Sequence, residues 1–363
     1  MYSQDVVVFR WSGPRVGIEI VLEPYKPTIF IGFNNVLKSI TARMIIAMLS
    51  QQDLIDKNWS IPERDWRGYL EKIVATLGGG SNPVIGVADT VKERKLGYVL
   101  LEDSRVALRK YMEIRELYQS SMDRVESIIE KLSKFSGIPP PLLSELLRSF
   151  KDVKSIVDGI GFGIGEIYYE LKLKAFLKPS SLYMSILEDI VEDVLNELGK
   201  NVQREELIKE NMLSLDVEVV GKDGEKRVVV TDTRTREQID EVMVSTSVSS
   251  MLLFKTLALA MAIPIPKLIV VEEPEYALAP IQQIILARFV EESLNKAKEL
   301  GHTTYIILVT YSPYIVLGMR KAENAKVYYF MYSKEGKFIA EESWPAREFA
   351  LASLLMLGSE TKS

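Results

Sequence analysis

Apolar and polar residues alternate over Asp5 to Phe9 and again over Val16 to Leu22, and a period of two is what a half-buried strand requires. The Gly13-Pro14 pair between these runs supplies a turn, so the pattern predicts two strands. A second turn, Pro24 to Pro27, leads into Thr28-Ile29-Phe30-Ile31, a continuous apolar run suited to a strand buried on both faces. Gly32-Phe33-Asn34-Asn35 ends that run, and from Ile40 to Leu49 Ala, Met and Ile recur at helical spacing. Strand, polar loop and helix therefore follow in the order that a phosphate site needs.

The pattern changes between residues 50 and 240. Leu77 to Pro83 reads as a loop, and Ser104 to Phe135 is charge-rich and compatible with one long helix or two shorter ones. Pro139-Pro140-Pro141 breaks it before a further helical stretch from Leu142 to Val157. Gly159, Gly161, Gly163 and Gly165 alternate with apolar residues; this is a turn or a tightly packed strand and lacks the context of a dinucleotide fingerprint. Leu182 to Leu198 is helical, with Asp189 and Glu192 facing away from an apolar stripe. Val217 to Val220 and Arg227 to Val230 flank Gly221-Lys222-Asp223-Gly224 and read as a hairpin.

The last third returns to alternating helices and apolar strands. Met251 to Ala262 and Ile281 to Leu300 read as helices, Leu268 to Val271 and Tyr305 to Val309 as buried strands. This is an α/β arrangement with a mostly parallel central sheet, and Ala350 to Met356 reads as one closing amphipathic helix.

Composition narrows the chemistry. A chain of 363 residues is long for one compact domain, so two structural units are expected. Hydrophobic residues make up 47% and charged residues 26%, enough for a substantial core and against disorder along the whole chain. The net charge of -5 gives no general attraction to nucleic acid, and Lys222, Lys226, Arg227, Arg234 and Arg236 read as a solvated hairpin or as a phosphate-backbone contact. Cysteine is absent, which excludes disulfides, thiolate metal sites and cysteine nucleophiles. The single histidine, His302, reads as a surface-loop residue and is a poor metal signal. The opening residues lack the pattern of a secretory signal, and prolines interrupt the longest apolar stretches; a soluble, cytoplasmic protein is expected, with no membrane contact.

Residues 32 to 39, Gly-Phe-Asn-Asn-Val-Leu-Lys-Ser, nearly match the spacing of a phosphate loop, with Leu37 standing where the second glycine is expected. In an intact loop backbone N–H groups surround the phosphates, the lysine neutralises charge and the hydroxyl helps hold magnesium. Lys38 and Ser39 can keep those roles, whereas the Leu37 side chain crowds the approach and resists a positive φ. The same octet also reads as an ordinary helix start. A second signal is Leu268 to Val271 followed by Glu272-Glu273-Pro274-Glu275, which puts acids at a strand's carboxyl edge. A charged turn explains that segment equally well.

Four blocks taken in order resemble the ABC-type ATPase superfamily, in particular its recombination, repair and overcoming-lysogenization-defect groups. They are Gly32 to Ser39, Ser245 to Ser250, Leu268 to Pro280, and Val309-Thr310-Tyr311-Ser312-Pro313-Tyr314. The resemblance implies an ABC-type P-loop head made from residues 1–50 and 240–340, a mixed, mainly helical insertion at 51–239 and a closing segment at 341–363. It implies ATP or another nucleoside triphosphate, contacted by Gly32, Asn34, Asn35, Lys38, Ser39, Ser247, Ser249 and Tyr311. Mg2+ would be held by Ser39 and Glu272, and Glu273 would be the hydrolytic acid. Ser247 and Ser249 would reach nucleotide on an opposite subunit, though a serine turn capping the Met251 helix accounts for them too. Glu275 is expected near a helix or a subunit contact, with Ala279 and Tyr311 standing where relatives often have histidine.

By the same resemblance the partner is a second copy or another subunit of an ATPase complex, with DNA as its cargo. The expected activity is slow nucleotide-dependent conformational switching in DNA maintenance, recombination or defence. A noncatalytic interaction subunit is the alternative, since Leu37, Ala279 and Tyr311 all depart from the family pattern. A nuclease-associated protein is a weaker third reading, because no complete acidic metal-dependent domain follows the head.

Overall fold

The computed structural model describes residues 5–32, 37–51, 72–79, 81–87, 97–101, 179–197, 215–220, 227–232, 235–239, 246–262, 266–319 and 324–342. The readings made for 104–135, 142–157, the glycine alternation at 159–165 and the tail 350–356 lie outside these residues.

The amino-terminal strands are β1 (Val7–Gly13), β2 (Val16–Leu22) and β3 (Pro27–Gly32), followed by α1 (Lys38–Gln51). β4 (Val84–Val87), β5 (Gly97–Leu101) and α2 (Pro179–Glu197) come next. A separate antiparallel sheet contains β6 (Leu215–Val220), β7 (Arg227–Asp232) and β8 (Gln238–Ile239), so the predicted hairpin is present with one further strand. The carboxyl part runs α3 (Thr246–Ala262), β9 (Lys267–Glu272), α4 (Pro280–Glu299), β10 (Thr304–Val309), α5 (Pro313–Gly318), β11 (Lys326–Tyr332) and β12 (Phe338–Glu342).

Both ends of the chain meet in one nine-stranded sheet of order β4-β1-β2-β12-β11-β3-β10-β9-β5. Neighbours from β11 through β3, β10 and β9 to β5 are parallel, as expected for an α/β fold. The β4-β1-β2 end and the β12-β11 pair are antiparallel. β4 and β5, from the stretch read as an insertion, form the two edges of this sheet. β3, β9 and β10 are buried at every position, which is why each reads as an unbroken apolar run.

Successive side chains of a strand point to opposite faces, and β3 divides its residues accordingly. Ile29 and Ile31 join the core with α2, α3 and α4, while Phe30 packs on the other face with α1, β1 and β2. α2 carries Leu187, Ile190, Val191 and Val194 into the first core and leaves Asp189 and Glu192 exposed, as its stripe predicts.

Two details depart from the sequence reading. α3 begins at Thr246, so Ser247, Ser249 and Ser250 lie inside a helix and do not form a turn before it. The packing of Leu253, Phe254 and Leu257 fixes that helix, and serine's modest propensity does not prevent extension toward its start. His302 is buried, not a surface residue. Gly301 takes φ 71 after α4, while the His302 N–H reaches the Ala297 carbonyl at 2.8 Å and the Gly301 N–H that of Lys298 at 3.1 Å. That paired closure turns the residue after the glycine back against the helix and carries His302 inward.

Gly32 ends β3 at φ 145, where an added Cβ would lie 2.2 Å from the Phe330 carbonyl oxygen. Gly32→Ala is expected to cost about 2–4 kcal/mol in urea unfolding, since both backbone strain and overlap with fixed backbone oppose it. Gly17→Ala, whose Cβ would meet nothing closer than 3.7 Å, is the control and should be near neutral.

Candidate functional site

The parallel strands β3, β9 and β10 end side by side, with Val309 of β10 paired to Phe30 on one flank and to Glu272 on the other. Two backbone bonds tie the three ends together: the Thr310 N–H to the Phe30 carbonyl at 2.9 Å and the Glu273 N–H to the Val309 carbonyl at 2.8 Å. The carboxyl edge of a parallel sheet is where ligands bind in open α/β folds. Here it presents Gly32, then Glu272 and Glu273, then Thr310 and Tyr311. α1 starts against it with Lys38 and Ser39.

Leu37, in the place of a glycine, takes φ 62, and Glu273 takes φ 49. Each is a left-handed conformation that costs a residue with a side chain about 1–2 kcal/mol. Leu37 thus adopts the left-handed conformation usual for glycine in spite of its side chain, which is buried in the second core. Burial of the leucine supplies an offset that a glycine could not. Asn34 and Asn35 lie outside the described residues.

Lys38 is 3% exposed and donates to the Gly32 carbonyl at 2.7 Å, while its Nζ sits 3.7 Å from the centre of the Tyr311 ring. Burial pushes its pKa down to about 8, against the pull of the Glu275 and Glu273 carboxylates. Tyr311 therefore does two things: its ring faces the lysine, and its hydroxyl lies in the field of the Glu273 and Glu275 carboxylates. Burial first, and then the Glu273 and Glu275 charges, raise the Tyr311 pKa, so the phenol stays protonated.

Glu275 had been expected near a helix or a subunit contact. Its carboxylate accepts from the Thr310 hydroxyl at 2.8 Å and from the Tyr311 N–H at 2.5 Å, fixing the segment after β10 to the turn after β9. Desolvation raises its pKa above the usual carboxylate value. Thr310 also receives the Ser312 N–H at 2.9 Å, and the Ser312 hydroxyl donates to Gln283 of α4. Thr310, Ser312 and Gln283 received no role from the sequence, although the Thr-Tyr-Ser-Pro run directly after a buried strand marks the place.

Glu272 is held differently from its expected metal role. Arg43 of α1 donates Nε to Oε1 at 2.9 Å and Nη2 to Oε2 at 2.6 Å, and the carboxylate is only 7% exposed. Magnesium needs a near-octahedral set of hard oxygen donors. Both Glu272 oxygens accept from a guanidinium, and Ser39 is half-buried on α1. The carboxylate expected to hold a dication is thus already paired with a cation of the chain itself. Ser247 and Ser249 lie in the first turns of α3, which packs against the 274–277 turn.

No protein-family model matches the chain, and no curated protein matches it. Among solved structures it is similar to an Smc head bound to the C-winged helix domain of ScpA, at 11% identity and TM-score 0.44, covering 97% of this chain and all of the other. It is also similar to an Smc head domain with an extended coiled coil bound to the C-terminal domain of ScpA from Pyrococcus furiosus, at 10% identity and TM-score 0.40, covering 100% of both. An SMC head domain from Thermotoga maritima gives 10% identity and TM-score 0.36, covering 93% of this chain and 98% of that one. At these scores nothing about activity or partners transfers to this chain. Among the described residues no helix is long and apolar enough to cross a membrane.

The depressed Lys38 pKa has a consequence for stability. Between pH about 8 and the ordinary lysine value of 10.5 the unfolded chain holds this proton and the folded chain has begun to lose it. Stability therefore rises with pH across that window. Lys38→Met removes this contribution, so urea midpoints at pH 8 and just below pH 10 should differ less in the variant than in the wild type. Equal differences would show that Lys38 titrates normally.

Proposed function

We infer that the chain is an ABC-type head that binds a nucleoside triphosphate at the edge formed by Gly32, Lys38, Glu273 and Tyr311, and works as a slow conformational ATPase or regulatory subunit. The observation that carries this reading is Lys38: a buried lysine at the start of a helix that follows a buried strand, with its ammonium on the Gly32 carbonyl and against the Tyr311 ring. A phosphate oxygen is a stronger acceptor than a neutral carbonyl, because the bond is charge-assisted. The first N–H groups of α1 lack intrahelical acceptors and their dipole favours an anion at the same place. Triphosphate can thus replace the Gly32 carbonyl on Lys38 and displace the Tyr311 ring.

In this reading the head comprises residues 1–50 and 240–340, and β4 and β5 complete its sheet. Residues 51–239 form the insertion and 341–363 the closing segment. Because Glu275 grips both Thr310 and the Tyr311 backbone, movement of Tyr311 would be felt through Ser312 and Gln283 in α4. That is a route by which phosphate occupancy could shift helices on one face of the sheet. The four blocks resembling the ABC superfamily support a paired assembly, homomeric or heteromeric, in which Ser247 and Ser249 approach nucleotide held by the other head. DNA maintenance, recombination or defence is the setting that the same resemblance supports.

A noncatalytic subunit is the second reading, and one observation favours it: the Tyr311 ring, standing where relatives often have histidine, lies against the Lys38 ammonium that the nucleotide would need. Equilibrium binding separates the possibilities. Nucleoside triphosphate is expected to bind with a dissociation constant on the order of millimolar or tighter, and Lys38→Ala should weaken it at least about tenfold. Phosphate release should stay below about 10 per second without a partner, a typical enzyme rate. Glu273→Gln should remove most turnover and spare binding, since an amide cannot take the proton of water as a carboxylate can. Binding without turnover under any DNA or protein partner supports the noncatalytic reading, and no binding at millimolar ligand rejects the nucleotide site.

A further inference from the structure

We propose that Arg43 is the resident cation of this site, standing in for a divalent metal, so that the site takes triphosphate without needing magnesium. The proposal rests on the nucleotide reading above and adds to it how the phosphate charge is balanced.

Arg43 follows Ser39 by four residues on α1, so the two share a helix face. From that face the guanidinium closes on Glu272 with two bonds, 2.9 and 2.6 Å, one to each carboxylate oxygen. Glu272 is the last residue of β9 and 7% exposed, whereas the Arg43 side chain is 32% exposed. The pairing is the fork-to-fork geometry that makes arginine–carboxylate pairs strong and orients the guanidinium rigidly.

Two consequences follow from charge. A dication reaching Glu272 would have to displace the guanidinium from both carboxylate oxygens, giving up two charge-assisted hydrogen bonds. With Arg43 in place, the Glu272 charge is already cancelled, so incoming phosphates meet Lys38 and the start of α1 without facing a bare carboxylate at this position. Without Arg43, Glu272 would repel the phosphates, and binding would then need a dication to bridge the two. Arg43 is thus a specificity-determining residue: it decides whether the polyphosphate is taken free or as its metal complex.

The test measures the affinity of a nonhydrolysable imido analogue of ATP by calorimetry, once with excess magnesium and once with a chelator. Wild-type affinity is expected to agree within about twofold in the two conditions, well under the tenfold that corresponds to 1.4 kcal/mol. Arg43→Ala should bind at least about tenfold more weakly in chelator than in magnesium, as an unpaired carboxylate next to phosphate requires. Arg43→Lys, which keeps the charge, should stay close to the wild type, and thermal unfolding monitors whether each variant is folded. The wild-type comparison stands by itself if Arg43→Ala does not fold. Wild-type affinity that rises tenfold or more with magnesium would overturn the proposal while leaving the nucleotide site intact. Absence of binding in both conditions would overturn the nucleotide reading and this proposal together.

Discussion

A lysine ammonium cannot leave water without acceptors, and the candidate site is arranged around that requirement. Lys38 is drawn inside by the start of α1 and satisfied by the Gly32 carbonyl, the face of Tyr311 and the nearby Glu273 and Glu275 charges. Each partner is fixed by something else. Gly32 is set by the pairing of β3 with β11, where its φ of 145 and the close Phe330 carbonyl leave no room for a Cβ, and Tyr311 is held by Glu275 through its backbone N–H. Glu275 in turn is anchored by the Thr310 hydroxyl at the end of β10. Disturbing the cation would therefore reach both flanking strands and, through Ser312 and Gln283, a helix of the main core.

The parallel strands are what bring these parts together. Residues more than two hundred positions apart become neighbours because β10 lies between β3 and β9 in register, with Phe30, Val309 and Glu272 side by side. Their unbroken apolar sequences require cover on both faces, provided by α2, α3 and α4 on one side and α1 with β1 and β2 on the other. The strand ends, by contrast, are polar, and the sheet delivers them to one edge.

Much of this was legible from patterning. The strands β2, β3, β9 and β10 and the helices α1, α2 and α4 announce themselves by period, by turn residues or by continuous apolar runs, and the hairpin of β6 and β7 by its glycine-rich link. The edge strands β4 and β5 were not legible, because four or five apolar residues in a long irregular stretch carry no direction toward a partner. His302 was misread because a lone polar residue after a helix looks exposed until the Gly301 closure is recognised. Within the site, Lys38 and the acids of β9 stood out by spacing, whereas Arg43 did not: its partner lies 229 residues away and no local pattern links them. Tyr311 was legible as a departure from histidine, but its place over the lysine depends on three strand ends meeting.

The central claim is that Lys38 trades an internal carbonyl for a phosphate. A crystal structure of the protein soaked with the imido analogue of ATP tests it most directly. The account predicts the Lys38 Nζ within hydrogen-bond distance of phosphate oxygens, released from the Gly32 carbonyl, with the Tyr311 ring moved aside. Nucleotide bound elsewhere while Lys38 remains on Gly32 beneath Tyr311 would contradict it.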